Sequence, residues 1–379
     1  MAGRSRYPTI AATGLGGGSE TYTPIAARVV GRPSDDFKVD FTARGGWVSA
    51  HQSTAGVSGS VSTATDTQLN GTVTYYGIAN FQPFISVSSN LPTGQSALFG
   101  SAANARMDPD LVEISTFGEG LNYGPSIGFN LPVTRNFLLS AAAGYTWRGN
   151  YLRDNSLSAQ TPLVQTATWV EPSQVFTTTG SATFQIGQFS ASLTAALSKE
   201  TTTTENAAAL YRAGDRYVVS TSFSYDWKEA GQTTLTVAGA HANRNEVKLA
   251  NVPVLVKEIM DTNADVLKVG VQHLVPVGRL TIGPMANFLV RQRNSYDATT
   301  LQFVPEKERY SGGMVARYAV TDKVTLNARG EYAWTHEHDN PAPGGQKFSV
   351  LLNAFIPGSA VPQVSSTGWL CAVGANASF

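Results

Sequence analysis

The 379-residue chain carries 27 basic and 27 acidic residues, so its net charge is zero, polyanion binding has no electrostatic footprint, and nucleic acid is not an expected partner. Charged residues make up 14%, against roughly 25% in an ordinary soluble domain, while glycine alone fills 36 positions. Mean hydropathy is −0.10 and no stretch approaches the roughly 18 consecutive apolar residues of a membrane helix, which excludes helical spans but not strands that hide an apolar residue at every second position.

Residues 1–36 are rich in Gly, Ser, Thr and Pro, with Gly14, Gly16, Gly17 and Gly18 grouped and Arg4, Arg6, Arg28 and Arg32 scattered. They are expected to form a flexible tail or a plug folded into a pore. The glycines follow no strand and open no helix, so they do not read as a phosphate cradle. The start lacks the apolar core of a secretory signal, and an exported form of this chain is expected to have lost one.

From Phe37 a two-residue period begins. Phe37, Val39, Phe41, Ala43, Gly45 and Trp47 fall on one face, and Lys38, Asp40, Thr42, Arg44 and Gly46 on the other. The pattern returns over residues 137–148, 189–198, 217–228 and 323–334, the last placing Tyr332 and Trp334 on the apolar side. Phe37 and Trp47, Phe137 and Trp147, Tyr217 and Trp227, and Trp369 and Phe379 each lie ten residues apart. Ten residues of a strand tilted near 45° rise about 23 Å, close to the roughly 25 Å between the aromatic girdles of a membrane barrel. A soluble sandwich would fill its inner face with Leu, Ile and Val, whereas here the second face carries Ser, Thr, Gly, Asn and a few charges.

Candidate strands lie near 37–48, 67–79, 81–91, 120–131, 136–148, 174–186, 188–200, 216–228, 232–243, 265–275, 279–292, 308–320, 323–335, 346–356 and 368–379. Tight joins alternate with long polar connections, as in barrels with short periplasmic turns and long extracellular loops. Fifteen segments are one too many or too few for both termini to lie in the periplasm, so the expected fold is a closed antiparallel transmembrane β-barrel of residues 37–379 with 14 strands, 12 and 16 being the alternatives. The weak segments are 81–91, which contains Pro83, and the connection 357–367.

The face opposite the aromatics is expected to line a pore with Lys38, Arg44, Arg148, Lys268, Arg291, Arg317, Lys323 and Arg329 against Asp40, Asp226 and Glu331. These either brace the wall as ion pairs or leave an excess of bases that favours anions. His336, Glu337, His338 and Asp339 could in principle hold a metal but read as a solvated loop, and Ser and Thr are too frequent for any nucleophile pairing to inform. No catalytic residue, metal or cofactor is therefore expected. Cys371 is the single cysteine, so no internal disulfide forms.

The final strand ends on Phe379 with apolar residues alternating before it, although Ala377 stands where a larger residue is common. It resembles the terminal signature that the assembly machinery of bacterial outer-membrane barrels reads. The units FNLPVTRNFLLSAAAGYTWRG and ARYAVTDKVTLNARGEYAW look like outer-membrane channels of the broad transporter and porin classes. The resemblance spans roughly residues 37–379 and implies a bacterial outer-membrane location, with the lipid bilayer, the assembly machinery and small solutes as partners. The function it implies is diffusion or facilitated uptake of small solutes. Export of a polymer or polypeptide, and a non-conducting barrel acting as adhesin, anchor or enzyme, are the alternatives.

Overall fold

The computed structural model describes residues 2–7, 16–54, 57–107, 109–110, 112, 114, 116–152, 169–249 and 252–378, and every structural statement below concerns these. Their regular structure is almost wholly β, with three short 3-10 turns. The strands that make up the main sheet are β1 Ala2–Tyr7, β2 Gly16–Ser34, β3 Phe37–Thr54, β4 Thr67–Tyr75, β5 Gln82–Leu91, β6 Asn122–Thr134, β7 Phe137–Arg148 and β8 Val175–Ile186. The second half comprises β9 Phe189–Glu200, β10 Arg216–Asp226, β11 Gln232–Ala242, β12 Val266–Val277, β13 Leu280–Arg291, β14 Lys307–Thr321, β15 Val324–Glu337 and β16 Val364–Ala377. Each pairs antiparallel with its predecessor, and Val57–Ala64 folds back on the upper part of β3 as a seventeenth strand. At the ends of the series, β1 pairs with β2 from Gly3↔Tyr22 to Tyr7↔Gly18 and with β16 from Ala2↔Val373 to Arg6↔Trp369.

Sixteen successive strands replace the expected 14, because residues 1–36 supply two strands, β1 and β2, and one candidate segment leaves the main sheet. Residues 16–34, read from the sequence as part of a tail or plug, form the 19-residue β2, which runs along β3 from Gly16↔Thr54 to Ser34↔Phe37. The segment near 346–356, read as a wall strand, is a small hairpin of Gln346–Ser349 and Ala354–Pro357 that closes its apolar rings on each other, Phe348 against Phe355 at 5.2 Å. Residues 81–91 keep their place as β5 despite Pro83, which sits near the start of the strand, where the loss of a donor is tolerated.

The register confirms the two-faced pattern. Val29, Phe41 and Gly71 stand in one row across β2, β3 and β4, and Ser192, Ser222 and Thr236 in another across β9, β10 and β11. Cross-strand aromatic pairs knit the apolar face together, Tyr123 on Trp147 at 5.5 Å, Tyr310 on Trp334 at 5.6 Å and Tyr332 on Trp369 at 4.9 Å. Of the residues expected in the girdles, Phe37, Trp47, Trp147, Tyr217, Trp227, Tyr332, Trp334 and Trp369 are between 38% and 55% exposed. Phe137 is half-buried, and Phe379 lies outside the described residues.

Connections at one end of the sheet are short. Gly187 and Gly278 adopt φ of 56° and 62° in two of these turns, a left-handed conformation that costs glycine nothing and other residues strain. At the other end, parts of three long connections pair into a second sheet. It runs from Leu255–Lys257 through Glu246–Lys248, Ala208–Arg212, Thr203–Glu205 and Trp169–Glu171 to Tyr151–Leu152. Glu258 and Asn245 tie this end together: Glu258 accepts from the Thr262 hydroxyl and the Asn245 backbone, while Asn245 Oδ1 accepts from the Tyr211 hydroxyl at 3.1 Å and the Asn263 amide at 3.2 Å. Burial, with help from the Glu200 and Glu258 carboxylates, pushes the Tyr211 phenol up from its usual range.

Candidate functional site

The residues from 92 to 121 connect β5 to β6, and they lie over the polar face of the sheet. The reason is an apolar patch on that face. Val48 and Ala50 of β3, with Val61, meet Leu98, Ala105, Met107, Val112 and Phe117 of the connection. Leu98 and Phe117 are fully buried, and side chains of that size each contribute about 1.5–3 kcal/mol when removed from water. The approach is close. A Cβ at Gly59 would stand 2.2 Å from the Ser101 carbonyl oxygen, and one at Gly18 would stand 2.6 Å from Met107 Sδ, so neither position accepts a side chain without movement.

One carboxylate gathers the two ends of this connection. Asp66, nearly buried, accepts the Gly94 backbone N–H at 2.8 Å through Oδ1, and through Oδ2 the Glu119 N–H at 2.6 Å and the Asn90 side-chain amide at 2.6 Å. Midway, Glu20 of β2 accepts the Ile114 N–H at 3.2 Å. The tip reaches strands on the other side of β1. Asp110 Oδ2 lies 3.3 Å from Lys307 Nζ and 3.4 Å from Arg291 Nη1, and its backbone carbonyl accepts from Arg309 at 3.0 Å. Since β3 and β14 are five strands apart through β1, about 24 Å along the sheet at 4.8 Å per strand, the connection spans the polar face rather than hugging its own edge.

The charges expected on the polar face fall into three groups. Arg291, Arg329 and Glu331 belong to one cluster with Lys307, Arg309, Glu337 and Asp110. Glu331, 1% exposed, pairs with Arg329 and lies 3.5 Å from Arg309, while Lys307 is also 3.5 Å from Glu337. Arg148 pairs with Glu200 at 3.6 Å, and Asp40 pairs with Arg28 of β2, leaving Lys38 at 4.0 Å. Arg44 donates to Gln68 Oε1, while Lys268 and Arg317 have no ion-pair partner among the described residues. Asp226 departs from its expected role, because its carboxylate accepts the Lys228 N–H at 2.8 Å and holds the turn after β10.

Sequence reasoning missed Lys307, Arg309, Arg28 and Asp110. Arg309 shares its parity with Arg317 in one strand and could have been found by that signal. Arg28 was hidden inside the presumed tail. Asp110 lies 197 residues from Lys307, and nothing local announces the pair. The histidine cluster divides its partners: His336 Nδ1 lies 3.0 Å from the Ser365 hydroxyl, Glu337 serves Lys307, and His338 lies 3.8 Å from Glu306. Among the described residues no group of three or more His, Cys, Asp or Glu side chains converges for a metal.

Several recesses open along the polar face. One of about 660 Å³ between the connection and β6–β7 is lined by Arg106, Glu119, Asn122, Arg148 and Tyr151. A second of about 440 Å³ runs beside Thr42, Arg44, Gln68, Asn70, Asn90 and Asn122. Their walls mix apolar surface, from Met107, Pro109 and Pro172 in the first and Leu69 and Tyr123 in the second, with hydroxyls, amides and charges that can hydrogen-bond polar solutes.

No family model matches the chain, and no curated protein matches it. Among solved structures it is similar to a mutant of the Rh. blastica porin, at 12% identity over 98% of each chain with a TM-score of 0.35. A triple mutant of the Rhodopseudomonas blastica porin matches at 12% identity over 98% of this chain and 99% of that one, with a TM-score of 0.34. A porin refined at 1.8 Å matches at 11% identity over 97% of this chain and 98% of that one, with a TM-score of 0.35. Strand pairing and the placement of side chains, not these likenesses, carry the functional reading.

Proposed function

We propose that the chain is a channel of the bacterial outer membrane through which small polar solutes diffuse. In this reading the sixteen strands close into a barrel through β1, with residues 16–34 in the wall. The aromatic face meets lipid, and the polar face surrounds an aqueous lumen lined by Lys38, Asp40, Arg44, Arg148, Lys268, Arg291, Arg317, Arg329 and Glu331. Barrels of 16 strands are wide enough to leave an aqueous channel. The short turns then face the periplasm and the long, partly sheet-forming connections face outward. Passage of a folded polypeptide would require residues 92–121 to leave the polar face.

The observation that carries the reading is the course of that connection. A segment anchored on β2, β3 and Asp66 and braced at its tip on Arg291, Lys307 and Arg309 crosses the polar face, where it would narrow a lumen. An adhesin or anchor has no need of a segment braced across the face that would line a lumen. The test is incorporation of folded protein into planar bilayers in KCl. Stepwise, ohmic current increments are the expected result, and folded, inserted protein that leaves the bilayer silent refutes the proposal.

A further inference from the structure

Below the cluster that grips Asp110, the basic rungs of the wall continue with fewer acids to answer them. Arg309, Arg317 and Arg329 face the polar side of β14 and β15, and Glu331 is the carboxylate that Arg309 and Arg329 share. Arg317 lies directly across from Asn327, and Val315 across from Arg329. The next strand offers Gly374 opposite Asn327 and Ala372 opposite Arg329, two small residues that leave the wall indented. The result is a recess of about 260 Å³ whose rim includes Gln272, Met285, Arg317, Asn327 and Arg329.

Two features mark this recess as unsatisfied. Arg317 has no carboxylate partner among the described residues, whereas Arg291, Lys307, Arg309 and Arg329 above it each have one. Asn327 Nδ2 and Arg329 Nε are buried with no hydrogen-bond partner among the described residues, and a buried donor left so is costly until something accepts from it. Planar guanidinium forks and an amide donor around one hollow match the oxygens of a carboxylate or phosphate, which accept bidentate, charge-assisted hydrogen bonds.

We infer that Arg317, Asn327 and Arg329, with Gln272 at the rim, form a binding site for a small oxyanion, a phosphate or short carboxylate, on the turn-side half of the polar wall. The inference rests on the channel reading for its biological sense, since the site would lie in the lumen and concentrate such anions along the path. Its chemistry, however, belongs to the wall itself. Chloride, a single spherical acceptor, would use the charge of Arg317 but not the spaced donors, so oxyanions are preferred over it.

The test uses the full chain folded in detergent and titrated with inorganic phosphate by calorimetry at low ionic strength, with acetate as a second probe. Saturable binding is expected, weakened about tenfold by Arg317→Gln, as for loss of a charge-assisted pair, and by a smaller factor by Arg317→Lys, which keeps the charge and loses the fork. Asn327→Ala should weaken it too, while Arg135→Gln in a turn should not. Heat-modifiable migration on a gel verifies that each variant is folded. Binding that is absent from folded protein, or equal in Arg317→Gln and the parent, overturns the inference. Bilayer currents read the channel separately: current steps without phosphate binding sink the site alone, and phosphate binding by a silent protein sinks the channel alone.

Discussion

Removing the Asp66 carboxylate should release the connection between β5 and β6 without unfolding the sheet. In Asp66→Ala the Gly94 N–H, the Glu119 N–H and the Asn90 amide, now held at 2.8, 2.6 and 2.6 Å, lose their acceptor in a site that admits little water. A buried donor left unpaired costs about 1–3 kcal/mol, so two backbone donors alone give about 2–6 kcal/mol locally. The Asn90 amide keeps a second acceptor in the Gly120 carbonyl at 2.8 Å, which limits its share. Near 3 kcal/mol, the lower middle of that range, opening becomes about a hundredfold more frequent. The tip contacts of Asp110 and the Glu20 contact are untouched, so the segment should loosen at its neck before its tip. Amide exchange by mass spectrometry reads this directly. Peptides covering Gly94 and Glu119 should exchange about a hundredfold faster, with β8–β11 unchanged. Unchanged exchange at both ends would refute the clamp, and equal acceleration across all wall strands would show Asp66 to be a global rather than a local support.

Arginine on the apolar face should be costly: Leu193→Arg or Leu326→Arg is expected to destabilise the bilayer-folded protein by about 2–4 kcal/mol, and Ser192→Arg on the polar face by much less, measured by denaturant unfolding in vesicles. Deleting Phe379 should lower the amount assembled in the outer membrane while leaving the conductance of each assembled molecule unchanged, a separation that surface quantification and single-channel recording make visible. In the connection after β13, backbone and then side-chain hydrogen bonds from Thr299, at 2.9 and 2.7 Å, hold the exposed Asp297 carboxyl below its usual range. A depressed carboxyl contributes order above its unfolded pKa and loses it as pH falls through the folded value. The Thr299 amide should therefore exchange faster, after correction for intrinsic rates, below about pH 4, and Asp297→Asn should remove that dependence.

Fourteen of the wall strands are legible because their side chains alternate, and alternation is the direct consequence of a sheet with unlike faces. Strand β2 escapes that signal. Gly16, Gly17 and Gly18 have no side chains to alternate, Pro24 and Pro33 resemble loop punctuation, and Val29 followed by Val30 breaks the period. Its strand character comes from a partner, since β3 supplies a ladder along nearly its whole length. The hairpin at 346–357 errs the other way: Phe348 and Phe355 give the segment an apolar look, yet they satisfy each other locally instead of facing the wall row. Charge placement was legible by parity, as for Arg291, Arg317, Arg329 and Glu331. Pairing across long separations was not, because Asp110 meets Lys307 across 197 residues and Asp66 accepts the Glu119 N–H across 53, through a connection with no period of its own.

Neighbouring residues of one strand are expected to meet different solvents, lipid on the aromatic face and water on the polar one. Strand β16 tests it at adjacent positions. Cys371, the single cysteine, is exposed on the aromatic face opposite Gly330, and Ala372 stands on the polar face opposite Arg329. Protein folded into lipid vesicles would be treated with a membrane-impermeant maleimide, using the native chain and Ala372→Cys in a Cys371→Ala background. The Ala372→Cys variant should label, and native Cys371 should be protected until the protein is unfolded. Rapid labelling of Cys371 with protection at position 372 would contradict this.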